Sequence, residues 1–323
     1  MAPHSRIAGM ALALGLVAAQ GALAQSFPVK PLRMVVPFPP GGIDTQARVL
    51  AQKMADDLGQ PVIVENRAGA NGYIGSVNVA RSAPDGYSML FTASSTMVIG
   101  PLLSKSTPFD PIKDFTPIIN VYESLQTLAV PVGLPVNSVK ELVDLARKQP
   151  GKMSYSSSGI GSWVHLTAEV FKQVTQTDMV HVPYKGTGPM AADLAAGRVE
   201  VSFPSYSTAL SFLAANKIKI LALAAPKRSP GTPDIPTVSE TYPEFQRPPT
   251  WIALFGPAGL PQPVLRRLSA ASAKSLDSAE LRALYAKAHV TILGGTPEEL
   301  GATMRADWDI TAQIIKRLGI QPE

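Results

Sequence analysis

Three short segments carry the residue types on which chemistry could be built. Residues 37–44 read Pro-Phe-Pro-Pro-Gly-Gly-Ile-Asp, residues 156–162 read Ser-Ser-Ser-Gly-Ile-Gly-Ser, and residues 183–189 read Pro-Tyr-Lys-Gly-Thr-Gly-Pro. Each leaves a strand-like run and enters a stretch of helical periodicity. A helix N-terminus presents N–H groups without intrahelical partners and about half a positive elementary charge, so an anion can dock there without a side-chain cation. Glycines let backbone amides approach a ligand closely. The candidate residues are Pro40, Gly41, Gly42 and Asp44 in the first segment, Ser158, Gly161, Ser162 and the following His165 in the second, and Tyr184, Lys185, Gly186 and Thr187 in the third. Tyr184 offers a ring and a hydroxyl and Lys185 a counter-ion, although both also fit solvated turn positions. Ser94 and Ser95, after the strand predicted at residues 87–93, fit either a polar rim or a turn. For any one loop, a tight turn with Asp44 or Ser162 as an ordinary cap is a sufficient account. Three such loops in one two-lobed chain favour a ligand site.

Other chemistries lack their residues. There is no cysteine in the 323 residues, which removes disulfides, thiolate metal sites and cysteine nucleophiles. Neither G-x-G-x-x-G nor G-x-x-x-x-G-K-[ST] is present, nor the G-x-S-x-G elbow of serine hydrolases. His165, His181 and His289 are isolated in sequence, show no H-E-x-x-H spacing, and read as structural. Arg67 reads as a partner of Glu65, and Trp163 and Trp251 as core or cleft-wall residues. The formal charge of +5 is spread without a basic block, so nucleic acid is not an expected partner. No cofactor or metal is expected, the chain is not read as an enzyme, and a monomer is expected.

The elements that must position these loops follow from periodicity. Strands are predicted at residues 33–38, 61–65 and 87–93, with a helix through Ala47, Leu50, Ala51, Met54 and Leu58 and another at 74–80. That β-α-β-α-β order implies a parallel, doubly wound sheet. Residues 101–117 are rich in proline and turn formers. A second α/β series runs from a strand at 125–131, through a helix opened by a capping box at Ser138 and Glu141, to strands at 152–156, 179–183, 200–203 and 219–224 alternating with helices at 162–174, 189–197 and 207–216. Residues 226–249 hold seven of the 30 prolines, a strand follows at 251–255, and two helices are predicted to close the chain. The expected organisation is a signal peptide at 1–24, a first lobe at 25–124, a second at 125–226, and a return to the first at 227–323. Arg6, the apolar run at 7–19 and the small-x-small site Ala22-Leu-Ala24 define that export signal, and with no lipobox cysteine the expected location is the periplasm.

On these residues the chain resembles the Bug family, the periplasmic substrate-binding components of tripartite tricarboxylate transporters. The matching runs are Val36-Pro-Phe-Pro-Pro-Gly-Gly-x-Asp44, Gly59-Gln-Pro-Val62, Glu65-Asn-Arg-x-Gly-Ala70, Ala83-Pro-Asp-Gly-Tyr87, Asp114-Phe-Thr-Pro117, Ser158-Gly-x-Gly-Ser-x-x-His165, His181-Val-Pro-Tyr-Lys-Gly186 and Pro233-Asp-Ile-Pro-Thr-Val238. The resemblance implies an α/β, type II periplasmic-binding-protein fold of two doubly wound lobes with a ligand cleft between them. It implies a receptor for a small organic carboxylate, held largely by backbone groups and water, with a membrane permease as partner. Where many relatives read Met-Phe-Asp, this chain has Ser202-Phe-Pro204, and Gly100-Pro101 replaces a frequent Asn-Pro. The missing acid implies a plain carboxylate, aromatic or dicarboxylic, over an amino acid. The alternatives are a small-acid enzyme with His165 as base, and a sensor subunit signalling to a histidine kinase.

Overall fold

The computed structural model describes residues 27–322, and the signal read at 1–24 lies outside them. Three apolar runs start the first sheet. β1 (Leu32–Val36), β2 (Val62–Asn66) and β3 (Ser88–Ala93) pair in parallel in the order β2-β1-β3, as the β-α-β-α-β pattern predicts. β1 and β3 are buried along nearly their whole length, which is why they read as unbroken apolar runs. Between the strands lie α1 (Gly42–Leu58) and α2 (Tyr73–Ala80). α1 buries the predicted stripe of Ala47, Leu50, Ala51, Met54 and Leu58, and ends where Gly59 takes the left-handed φ of 70°.

β4 (Phe115–Ser124) was not predicted. Its proline and polar ends resemble a connection, but Pro117 falls where the pairing with the strand formed by Trp251–Pro257 shifts register, and an irregular register tolerates a residue with no N–H to donate. The second sheet follows. Its elements are β5 (Thr127–Pro131), α3 (Val139–Lys148), β6 (Met153–Ser157), α4 (Trp163–Thr175), β7 (Met179–Pro183), α5 (Thr187–Ala195), β8 (Val201–Ser202), α6 (Tyr206–Ala214) and β9 (Ile218–Leu223). The strand order is β7-β6-β8-β5-β9, with β7, β6 and β8 parallel and β5 antiparallel to both neighbours. At the start of α3, Ser138 accepts from the Glu141 N–H as predicted. The Glu141 carboxylate reaches one residue further back than a capping box requires, to the N–H of Asn137.

After a proline-rich return, β10 (Trp251–Pro257) re-enters the first sheet between β3 and β4, antiparallel to both, with all seven residues buried. α7 (Gln262–Asp277) and α8 (Ala279–Lys287) lead to β11 (Val290–Gly294), which pairs with the far side of β4, and α9 (Pro297–Leu318) ends the described chain. Three helices and an edge strand thus stand where two helices were expected. The alternating exposure of β11 marks a strand at a sheet edge, too short to show against its helical flanks. The return is fastened to the first lobe by Asp57 at the end of α1. Its carboxylate takes Lys274 at 2.6 Å and also the Arg267 guanidinium, and these hydrogen bonds, Lys274 first, hold it below the usual carboxylate range.

Two lobes result, each with its own sheet and joined by crossings at β4–β5 and at the return into β10. At the crossings, the Ser124 N–H donates to the Thr250 carbonyl at 3.1 Å and the Thr250 hydroxyl donates to the Ser124 carbonyl at 3.0 Å. Because β10 sits between β3 and β4 and is buried on both faces, its Leu254 tests the cohesion of the first lobe. Leu254→Ala should destabilise the protein by about 2–5 kcal/mol in denaturant unfolding. A loss below about 1 kcal/mol would mean that β10 does not organise this core.

Candidate functional site

The three loops predicted from sequence lie at carboxyl ends of parallel strands, where ligand crevices of open α/β sheets form. The first, residues 37–41, connects β1 to α1. The second, residues 158–162, connects β6 to α4, and the third, residues 184–186, connects β7 to α5. Contacts link them in a chain. Pro37 packs against the Gly72 and Gly75 backbone, where an added Cβ would lie 3.4 and 2.8 Å from its ring. The neighbouring Asn71 donates through Nδ2 to the Ile160 carbonyl at 3.2 Å, joining the first lobe to the serine-glycine loop of the second. From that loop, the Ser157 carbonyl accepts from the Tyr184 N–H at 2.9 Å and the Ser158 carbonyl from the Gly186 N–H at 3.3 Å.

The capping pattern separates the three helix starts. α1 begins behind Gly41 and α5 behind Gly186, and neither residue offers a side-chain cap. α4 is closed: Ser162 accepts from the His165 N–H at 3.2 Å, as predicted for a cap, and the Gly161 N–H donates to His165 Nδ1 at 3.4 Å. Asp44 differs from its expected role as a cap. It lies inside the first turn of α1, buried, with its carboxylate accepting from Arg48 Nε at 3.0 Å and Asn66 Nδ2 at 2.9 Å. Asn66 also donates to the Phe38 carbonyl at 3.1 Å, so Asp44 and Asn66 together hold the first loop in place.

The remaining predicted residues fall as follows. Pro40, Lys185 and Thr187 are exposed at the loops, and Ser95 is half-buried. Ser94 is fully buried and its hydroxyl donates to the Pro249 carbonyl at 2.7 Å, a contact with the return segment in place of a polar rim. The Tyr184 hydroxyl donates to Asp193 at 2.8 Å. Burial and that acceptor push its pKa up to about 12, which leaves the ring face, rather than the hydroxyl, for a ligand. Arg67 pairs with Glu65 at 2.7 Å, the structural role expected of it.

Asn71 is the residue that sequence reasoning missed. Its signal was faint: an asparagine between Gly69 and Gly72, here with a left-handed φ of 57° that asparagine tolerates better than other side chains. Its carbonyl accepts from Thr96 Oγ1 at 3.1 Å, which fixes the turn that aims the side chain across the cleft. Opposite it, Gly161 has φ 76°, and a Cβ there would lie 2.9 Å from Asn71 Nδ2.

The histidines form a stack. His165 lies on His181 with ring centroids 4.4 Å apart, and His181 lies on Tyr155 at 4.7 Å. His181 Nε2 is 2.7 Å from Ser157 Oγ, a distance suited to a serine–histidine pair. Ser157 is wholly buried, however, and no carboxylate among the described residues is hydrogen-bonded to His181 to orient it. Burial, with His165 beside it, pushes the His181 pKa down to about 4. No group of three or more metal-ligating side chains occurs among the described residues, and no described helix is long and apolar enough to cross a membrane.

Two α/β lobes on paired crossings define the type II periplasmic-binding-protein fold, a class of ligand receptors. The chain belongs to the tripartite tricarboxylate transporter family receptors, whose family model matches residues 46–320. It is 33% identical over 299 residues to protein BugT of Bordetella pertussis, covering 92% of this chain and 91% of the relative. The structure of Rpa4515 of R. palustris with adipate superposes with a TM-score of 0.87 at 31% identity, covering 92% of this chain and all of that one. MatC of Rhodopseudomonas palustris with bound malate superposes at 0.82 and 29% identity, covering 90% of this chain and all of that one. Members of this family are solute-binding receptors and not enzymes.

Two outcomes follow from this geometry. Asn71→Ala removes one hydrogen bond across the cleft, worth about 1 kcal/mol net, so the closed population should fall several-fold. Interlobe distances from spin labels would read that change, and an unchanged distribution would show that the contact does not hold the lobes. His181 sets a pH dependence. Below the ordinary histidine value of 6.5 the unfolded chain binds a proton that native His181 refuses until about pH 4, so stability is lost as pH falls through that window. Melting temperatures of His181→Gln should decline less steeply than wild type between those two values.

Proposed function

We propose that this protein is a periplasmic receptor that captures a small carboxylate and delivers it to the membrane permease of a tripartite tricarboxylate transporter. The observation that carries the reading is the pair of helix starts left without side-chain caps, α1 behind Gly41 in one lobe and α5 behind Gly186 in the other. Unpaired N–H groups at both starts are suited to two anionic oxygens. A ligand that touches both lobes favours the closed arrangement, because only there are both sets of donors within reach. In this reading Pro40, Gly41 and Gly42 shape the first half of the site, with Asp44 holding it from beneath. Ser158, Gly161, Ser162 and His165 form its floor, and the Tyr184 ring, Lys185, Gly186 and Thr187 close the second half. Ser95 stays at the rim, and Ser94 beside it is tied to the Pro249 carbonyl of the return segment. The signal read at residues 1–24 supports the periplasmic location.

The ligand class follows from what stands at Ser202-Phe-Pro204. The Pro204 carbonyl accepts from both the N–H and the hydroxyl of Thr127, at 2.9 and 3.0 Å, and a proline has no carboxylate to pair with an ammonium group. That supports a dicarboxylate or aromatic acid over an amino acid. The bound adipate and malate of the two structural relatives are apt first probes.

A thermal-shift screen of ligand-free protein against mono-, di- and tricarboxylates tests the reading. At a hundred times its dissociation constant the cognate acid should stabilise the protein by about 2.7 kcal/mol, and no shift with any acid would overturn the proposal. Thr187→Pro is the sharper probe. At the first position of α5 the ring fits helical φ, so folding is preserved while one N–H donor is removed. Loss of one hydrogen bond to a charged group, about 1.5–3 kcal/mol, should weaken carboxylate binding roughly 10- to 100-fold, whereas unchanged affinity would remove α5 from the site.

A further inference from the structure

The last helix starts in the first lobe and ends against the second. Near its start, Leu300 and Met304 of α9 lie in one buried cluster with Val35 of β1 and Leu90 of β3. At its end, the Arg317 carbonyl accepts from Gln173 Nε2 of α4 at 2.8 Å. The final carbonyls of a helix have no partners within it, so a side chain of the second lobe caps a helix of the first. Gln173 and Arg317 are 144 residues apart in sequence, and neither belongs to the strands at the crossings.

The residues after α9 form a fixed turn. Gly319 has the left-handed φ of 67°, its N–H donates to the Lys316 carbonyl at 3.2 Å, and the Ile320 N–H donates to the Ile315 carbonyl at 3.3 Å. Bonds of these two spans from the first and second residues beyond a helix make the Schellman motif, which commonly brings the second of those residues into apolar contact. Ile320 follows that pattern. It is half-buried and packed on the main apolar cluster, whereas Gly319 and Gln321 on either side of it are exposed. The chain end is therefore held by one inward side chain and by the turn behind it.

A cavity of about 210 Å³ shows what the tail faces. Leu103 and Ile320 wall it from the first lobe, and Ile160, His165 and His181 wall it from the second. The lobes approach closely along this seam: a Cβ on Gly161 would lie 3.9 Å from both the Gly100 Cα and Leu103 Cδ1. Asn71 reaches the Ile160 carbonyl from the first lobe, so the tail borders the same loop that takes the bond across the cleft. A contact made only while the lobes are together favours that arrangement by its full worth. We propose that the end of α9 and residues 319–322 form a strap that holds the two lobes closed and must detach before a bound ligand can leave. The proposal rests on the two-lobed receptor reading, but its readout uses ligand-free protein, so a failed acid screen and a failed strap test are separate results.

Distances between spin labels on the two lobes test the strap. The chain has no cysteine, so Gln52→Cys on α1 and Lys148→Cys on α3, both at exposed positions, place one label on each lobe. In a chain that ends at Leu318, the population at the shorter interlobe distance should fall more than in Gln173→Ala. That variant removes one exposed hydrogen bond and should lower the population roughly two- to fivefold. Diethyl pyrocarbonate reports on the tail itself: His165 and His181, which wall the cavity, should be modified faster in the shortened chain. If the shortened chain fails to give a cooperative melt, Ile320→Ser in the full chain, which keeps the Gly319 turn, takes its place in both measurements. Unchanged interlobe distances without the tail, or histidines modified no faster, would each overturn the proposal.

Discussion

Ser124 and Thr250 lie 126 residues apart in sequence and are joined by two hydrogen bonds, one between their backbones and one from the Thr250 hydroxyl, where the chain passes between lobes. Every other relationship in the molecule depends on that junction. It leaves each lobe with a complete sheet of its own. Loops from distant parts of the sequence meet across the lobes, as Asn71 does with the Ile160 carbonyl. Several polar groups around the junction are paired. Ser94 bonds Pro249, Thr127 bonds Pro204 twice, and Gln126, wholly buried, takes the Thr167 hydroxyl at 3.1 Å. Buried hydrogen-bonded networks of this kind fix one geometry, because each member lost leaves an unsatisfied partner.

Within this frame the chemistry lies in what is left uncapped. A side-chain cap satisfies one first-turn donor, as Ser162 does for the His165 N–H of α4. Glycine at Gly41 and Gly186 leaves donors to be satisfied from outside. Beside the first loop, Arg48 is committed to Asp44 and Arg67 to Glu65. In the proposed anion site, recognition rests on backbone amides at two helix starts.

The loops, the α/β alternation and the stripe of α1 were legible because each is a local pattern: glycines between an apolar run and a helical period, or apolar residues recurring on one face. Ser162 was legible as a cap for the same reason, since its partner is three residues away. Asp44 was misread because its partners, Asn66 in β2 and Arg48 on its own helix, outcompete the N-terminal amides, and Asn66 is brought close only by the β1–β2 pairing. β4 was hidden by Pro117, whose strand character depends on an irregular register with β10. Asn71 was hidden because its partner is 89 residues away in the other lobe.

The sequence by itself determined the two α/β series, the three glycine loops and, through several runs in order, the family. Those features rest on local φ/ψ preference and on which face of an element is apolar, and neither needs a distant partner. Tertiary structure alone decided which loops touch one another, which helix starts lack a side-chain cap, that Ser94 faces the return segment, and that Asn120 and Arg247 line one cavity. Each of these is a meeting of residues far apart in the chain, set by sheet register and by the two crossings, and no spacing along the sequence encodes it.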